Sequence, residues 1–136
     1  EQVLVTVSVV GSQAAQERYL KPTHLVRAIE ILKENGVKVD ELITCEIGGI
    51  NSVNGWIQSV TLKIPVVDIP CDDRVHLTDI MGSMELHKAK NYISKQAVAG
   101  GNLETNKYLE LFVTGSLQYP VNSLEKRLRK LAAKLQ

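Results

Sequence analysis

The stretch "ELITCEIGGINSVNGWIQSVTLKIPVVDI", residues 41 to 69, carries two short strand-like runs, 41–47 and 64–69, on either side of a longer amphipathic segment. Short apolar runs with β-branched residues read as strands, and a helical stretch between two of them is the crossover that a parallel pair requires. The middle segment, 51–63, predicts a helix capped by Asn51, whose side-chain oxygen suits free first-turn amides. Gly55 and several β-branched residues weigh against that helix. Gly48 and Gly49 fall between the first strand and the helix, where glycine alone takes positive φ without strain.

Toward the amino end, "VLVTVSVV" (3–10) is too apolar to alternate and predicts a central strand covered on both faces, ended by Gly11. "KPTHLVRAIEILKENG" (21–36) places Leu25, Val26, Ile29, Ile31 and Leu32 on a broad apolar face, with Pro22 and Thr23 at its start and Gly36 past its end. That is the punctuation of a capped helix, in which His24 reads as an ordinary helical residue. Strand, helix, strand, helix, strand in this order predicts an α/β fold, a mainly parallel sheet with helices on both faces.

Beyond Ile69, residues 70–102 show no sustained period, so a long loop is expected after the third strand, until "KYLELFVTG" (107–115) reads as a further strand. The tail "NSLEKRLRKLAAKLQ" (122–136) spaces Leu124, Leu128, Leu131 and Leu135 at helical intervals behind Ser123, which predicts an amphipathic, basic C-terminal helix. The expected organisation is an α/β domain over 1–117, with 118–136 as a helix of the same domain.

The 136 residues suit one domain, and 16 basic against 15 acidic side chains leave a net charge of +1. No global field favours nucleic acid, and the basic tail lacks the aromatic interleaving that stacking on bases needs. No apolar run approaches the roughly 18 residues of a membrane span. Cys45 and Cys71 make no disulfide framework, and the first residues lack the features of a signal peptide. A cytoplasmic protein without membrane or nucleic-acid partners is the expectation.

Ligands of open parallel sheets gather at the carboxyl ends of the strands. Two clusters fall there. Glu46, Gly48, Gly49, Asn51 and Ser52 form the first, in which backbone amides and a helix start suit an anion or a polarised carbonyl oxygen, with Glu46 just before that seat. A plain strand-to-helix turn with a solvated glutamate is the competing reading. Asp72, Asp73, Arg74 and His76 form the second, offering carboxylates, a guanidinium and a titratable imidazole for acid–base work. Cys71 is a nucleophile only if its pKa is lowered, and an incidental thiol otherwise. Asp72, Asp73, His76 and His87 match no established zinc spacing, so no metal site is assigned and the cofactor stays open.

The succession "VSVVGSQ", "HLVRAIEIL", "CEIGGINS", "IPVVDIPCDDRVH", "IMGSMELHK" and "NKYLELFVTGSL" resembles the amino-terminal domain of the S-methyl-thiohydantoin desulfurase family, over about residues 3 to 117. The most specific pieces are Glu46 to Asn51 and Pro65 to Asp68. The chain departs from the family pattern at Asp73, where a glycine is usual, and at Val75 and Leu77. The resemblance implies a hydrolase-like domain acting on a cyclic ureide or (methyl)thiohydantoin-type small molecule. It implies Glu46, Asp72, Asp73 and His76 as catalytic groups and Gly48, Gly49, Asn51, Ser52 and Arg74 as substrate contacts. Family members continue into a second, β-rich domain, so the expected partners are a small-molecule substrate and a second domain or another copy of the chain. A non-catalytic domain that binds a small molecule or a subunit is the alternative.

Overall fold

The structure is a computed structural model that describes residues 2–10, 19–69, 71 and 88–116. In chain order it contains β1 (Leu4–Val7), α1 (Pro22–Glu34), β2 (Glu41–Thr44), a 3-10 turn (Gly49–Val53), α2 (Trp56–Leu62), β3 (Val66–Val67), β4 (Ile93–Asn102) and β5 (Lys107–Ser116). The expected tail helix and the Asp72–His76 cluster lie outside the described residues.

The first three strands form a parallel sheet in the order β1-β2-β3, with Leu4 opposite Glu41, Val7 opposite Thr44 and Leu42 opposite Val66. The expected strand–helix–strand–helix–strand succession is therefore present. The centre of the sheet is β2, not the 3–10 run. Leu42, Ile43 and Thr44 are all buried, whereas exposure alternates along β1, with Leu4 and Thr6 exposed and Val7 buried. Composition alone made β1 look central, but among the described residues it has one strand neighbour and one packed face.

Helices on both faces were expected, but among the described residues they share one face. α1 packs against α2, so both lie on one side of the sheet. Strand order explains this: two crossovers of the same hand that advance in one direction must place their helices on the same face. Between sheet and helices sit Val7, Ile29, Leu32, Leu42 and Ile64, joined at the margin by Val5, Val37 and Val66.

α1 forms as its punctuation predicts, with Pro22 in the first turn, Asn35 at the C-cap and Gly36 at φ +74°. The segment 51–63 does not form one helix. Asn51 lies inside the 3-10 turn, and α2 starts only after Gly55, whose φ of +107° breaks the run. A Cβ there would also come within 3.4 Å of Val7 and 3.6 Å of Val66. The Gln58 side chain closes the first turn of α2 by accepting the Gly55 N–H at 3.0 Å.

Part of the expected long loop is ordered as β4, which pairs antiparallel with β5 through ten residue pairs. Its sequence, "ISKQAVAGGN", is poor in large side chains, so its strand character comes from its partner rather than from its own pattern. The hairpin packs on α1 and sends Ala97 and Phe112 to the core. Arg27 of α1 fastens it, donating to Glu110 of β5 at 2.8 and 3.0 Å and to Glu34 and Glu30 of its own helix.

Candidate functional site

The "CEIGGIN" loop leaves the carboxyl end of β2, as expected, and the ladders of the sheet continue briefly around it. Cys45 N–H donates to Val7 O at 3.1 Å, and Cys71 N–H donates to Thr44 O at 2.8 Å. These bonds bring the segments after β1, β2 and β3 to one rim. Cys71 is 7% exposed and its sulfur accepts the Thr6 hydroxyl at 3.6 Å, which places the thiol inside the packed end of the sheet.

Asn51 is the hub of the loop. It is buried, its Oδ1 accepts the Val9 N–H at 2.8 Å, and its Nδ2 donates to Glu46 Oε1 at 2.8 Å. One amide thus ties the end of β1 to the glutamate after β2. The side chain is not a helix cap, and its own N–H is bonded to Gly48 O at 3.1 Å. Buried amides are held this way because an unpaired donor or acceptor inside the protein costs about 1–3 kcal/mol.

Glu46 is half-buried, and among the described residues its Oε2 has no hydrogen-bond partner. The bond to Asn51 fixes one carboxylate oxygen and leaves the other to accept. Gly48 N–H donates to Ser52 Oγ at 2.8 Å, so that amide is spent within the loop. The amides of Gly49 and Ile50 open the 3-10 turn, where a helical segment offers no internal acceptor. Gly48, Gly49, Ile50 and Ser52 are all exposed.

The expected residues Glu46, Gly48, Gly49, Asn51 and Ser52 therefore form one hydrogen-bonded loop. The role of Asn51 as a bridge to β1 was not visible in the sequence, because Val9 lies 42 positions away. Next to the loop, Asn54 is 3% exposed; its Oδ1 accepts from Gln58 Nε2 at 2.9 Å and its Nδ2 is unpaired. Among the described residues no cluster of histidine, cysteine, aspartate and glutamate is arranged to hold a metal ion, and no helix is long and apolar enough to cross a membrane.

These features define a small α/β domain that presents a braced acidic loop at the carboxyl ends of a parallel sheet. The chain belongs to the S-Me-THD-like N-terminal domain family, the amino-terminal domain of S-methyl-thiohydantoin desulfurases, whose model matches residues 1–105. No curated protein and no solved structure matches it.

Proposed function

We propose that the loop is one half of a two-domain hydrolase-like site for a cyclic ureide or (methyl)thiohydantoin-type small molecule. The observation that carries this reading is the Val9–Asn51–Glu46 chain of hydrogen bonds. A carboxylate that serves only as a solvated strand end needs no buried amide to aim it. Family membership supports the choice of ring.

In this reading Glu46 Oε2 takes a ring N–H or the proton of an attacking water, and the Gly49 amide donates to the oxygen on which negative charge develops. Asn51 and Ser52 hold the loop in shape, and Gly48 lets the ring approach the backbone. Asp72, Asp73, Arg74 and His76 follow β3 in sequence and would act from the next strand end. With a methylthio ring, water adds to the sulfur-bearing carbon, the C–S bond breaks, and methanethiol leaves with the proton. With a plain ring, water adds to a carbonyl carbon and the C–N bond opens to an acid.

The rim around the loop carries Ile47, Ile50, Val53 and Trp56, each about half exposed. Apolar residues in such a group are normally covered by a partner, which supports a second domain or a second copy completing the site. The second reading, a domain that binds without turnover, rests on the same loop.

Incubation with hydantoin, methylthiohydantoin and 5-oxoproline, with and without divalent metal, separates the two: methanethiol or ring-opened acid marks an enzyme, and binding alone marks a binder. Glu46→Gln keeps an acceptor for Asn51, so its melting temperature should match that of the parent chain. Calorimetric titration should show ring affinity falling roughly 5- to 150-fold. Equal affinities would reduce the loop to a turn.

A further inference from the structure

We propose that the cavity between the start of α1 and the tip of the β4–β5 hairpin binds a neutral, flat small molecule that presents a carbonyl oxygen. The cavity is a cleft open to solvent with a volume of about 520 Å³, and it shares no lining residue with the Glu46–Ser52 loop. Ligand sites commonly measure roughly 300–1,000 Å³.

Three rings form one wall. The His24 imidazole stands with its centroid 5.9 Å from Tyr19 and 5.7 Å from Tyr108, tilted by 43° and 48°. Such faces favour a planar partner, which stacks or packs edge-on at these separations.

His24 is 6% exposed, and its Nδ1 accepts the Lys21 N–H at 3.2 Å. Burial first, and the charge of Lys21 second, lower the imidazole pKa, so the ring is neutral near pH 7. With Nδ1 accepting, the single proton sits on Nε2, and among the described residues that donor has no partner. The buried side-chain atom left without a partner among the described residues is Asn54 Nδ2, so the His24 Nε2–H reaches solvent on the cavity side, where a ligand oxygen can replace water as its acceptor. The start of α1 points the same way: its first turn holds no acid, so the positive end of a 13-residue helix is left to favour an oxygen.

The charges select against ions. Lys21, Arg27, Glu30 and Glu104 line the cavity and their formal charges cancel. The Arg27 guanidinium is already occupied by Glu30, Glu34 and Glu110, and the Lys21 ammonium lies 5.0 Å over the Tyr19 ring. What remains open is the neutral His24 donor among flat faces, with the Glu104 carboxylate offset by the nearby charge of Lys21.

The test is a titration of the full chain with benzamide, followed through backbone amide resonances. Thr23, His24 and Tyr108 should shift saturably with about millimolar affinity, as expected of so small a ligand. Benzoate and benzamidine keep the shape and change the charge, and each should bind several-fold more weakly. His24→Gln retains an acceptor for the Lys21 N–H, since glutamine at the third helical position caps in this way, but loses the ring donor. It should weaken benzamide roughly 3- to 10-fold. Thr61→Arg, on the exposed side of α2, crowds the cavity without touching its floor and should abolish the shifts. Glu46→Gln should leave benzamide binding unchanged, which separates this site from the loop. Absence of saturable shifts, tighter binding of either ion, or binding that survives Thr61→Arg would overturn the proposal.

Discussion

Gly48 and Gly49 stand side by side with different requirements. Gly48 has φ 163°, an extended backbone open to any residue, and a Cβ there would meet nothing within 4 Å. Gly49 has φ +49°, where a side chain costs about 1–2 kcal/mol even though the space is open. Gly49→Ala should therefore lower unfolding stability in denaturant titrations, and Gly48→Ala should not. If Gly48→Ala nevertheless weakens methylthiohydantoin binding, the missing side chain serves ligand approach; if both properties are unchanged, Gly48 has no role in the site. The sequence showed the composition of this loop but not the division of labour within it. Asn51 was recognised as a capping residue type and proved to be a long-range bridge. His24 was read as ordinary, although its position three residues after Lys21 was the available sign of a side chain that returns to the N-cap.

At the level of elements, α1 was legible because proline and glycine mark its ends and its apolar positions keep one period. β4 was not, because small residues carry little pattern and the strand depends on β5. The late start of α2 was signalled only by Gly55. Charge now ties these elements together in a way that pH can probe. Arg27 first, and the Tyr108 hydroxyl second, hold the Glu110 carboxyl below its ordinary value of 4.5. A lowered carboxylate contributes stability that is full above 4.5 and lost as pH falls through the folded-state pKa. His24, lowered from 6.5, adds a contribution of the same sign that is present above 6.5 and lost below it. Thermal unfolding should thus show two losses on acidification, one beginning near pH 6.5 and one below pH 4.5. His24→Gln should remove the first and leave the second, and a single transition unaffected by that substitution would contradict the assignment.

For the whole molecule, the parallel α/β core was legible from the alternation of strand-like and helical segments, since only crossovers fit between those runs. The outer position of β1 among the described strands and the shared face of α1 and α2 were not, because they depend on which strand takes the centre, and apolar content alone does not decide that. The consequence of that arrangement is that α1 faces the sheet with Ile29 and Leu32 and the hairpin with Arg27. Ile29 and Leu32 rank among the most buried residues described.

The two strand systems also differ in how far apart their partners lie along the chain. β4 and β5 meet across a four-residue tip, whereas Val7 must find Thr44 across a complete crossover. Closing a short loop carries a much smaller entropic penalty than closing a long one, and hairpins form within about 1–10 μs. The hairpin is then the natural early structure on which α1 docks, with the parallel sheet assembling last. Gly101, at φ +94° beside the tip, has no room for a side chain, since a Cβ would run into the Lys107 carbonyl. In stopped-flow refolding, Gly101→Ala should slow the folding limb, while Leu42→Ala at the sheet centre should mainly accelerate unfolding. The opposite pattern would place the sheet, rather than the hairpin, at the start of folding.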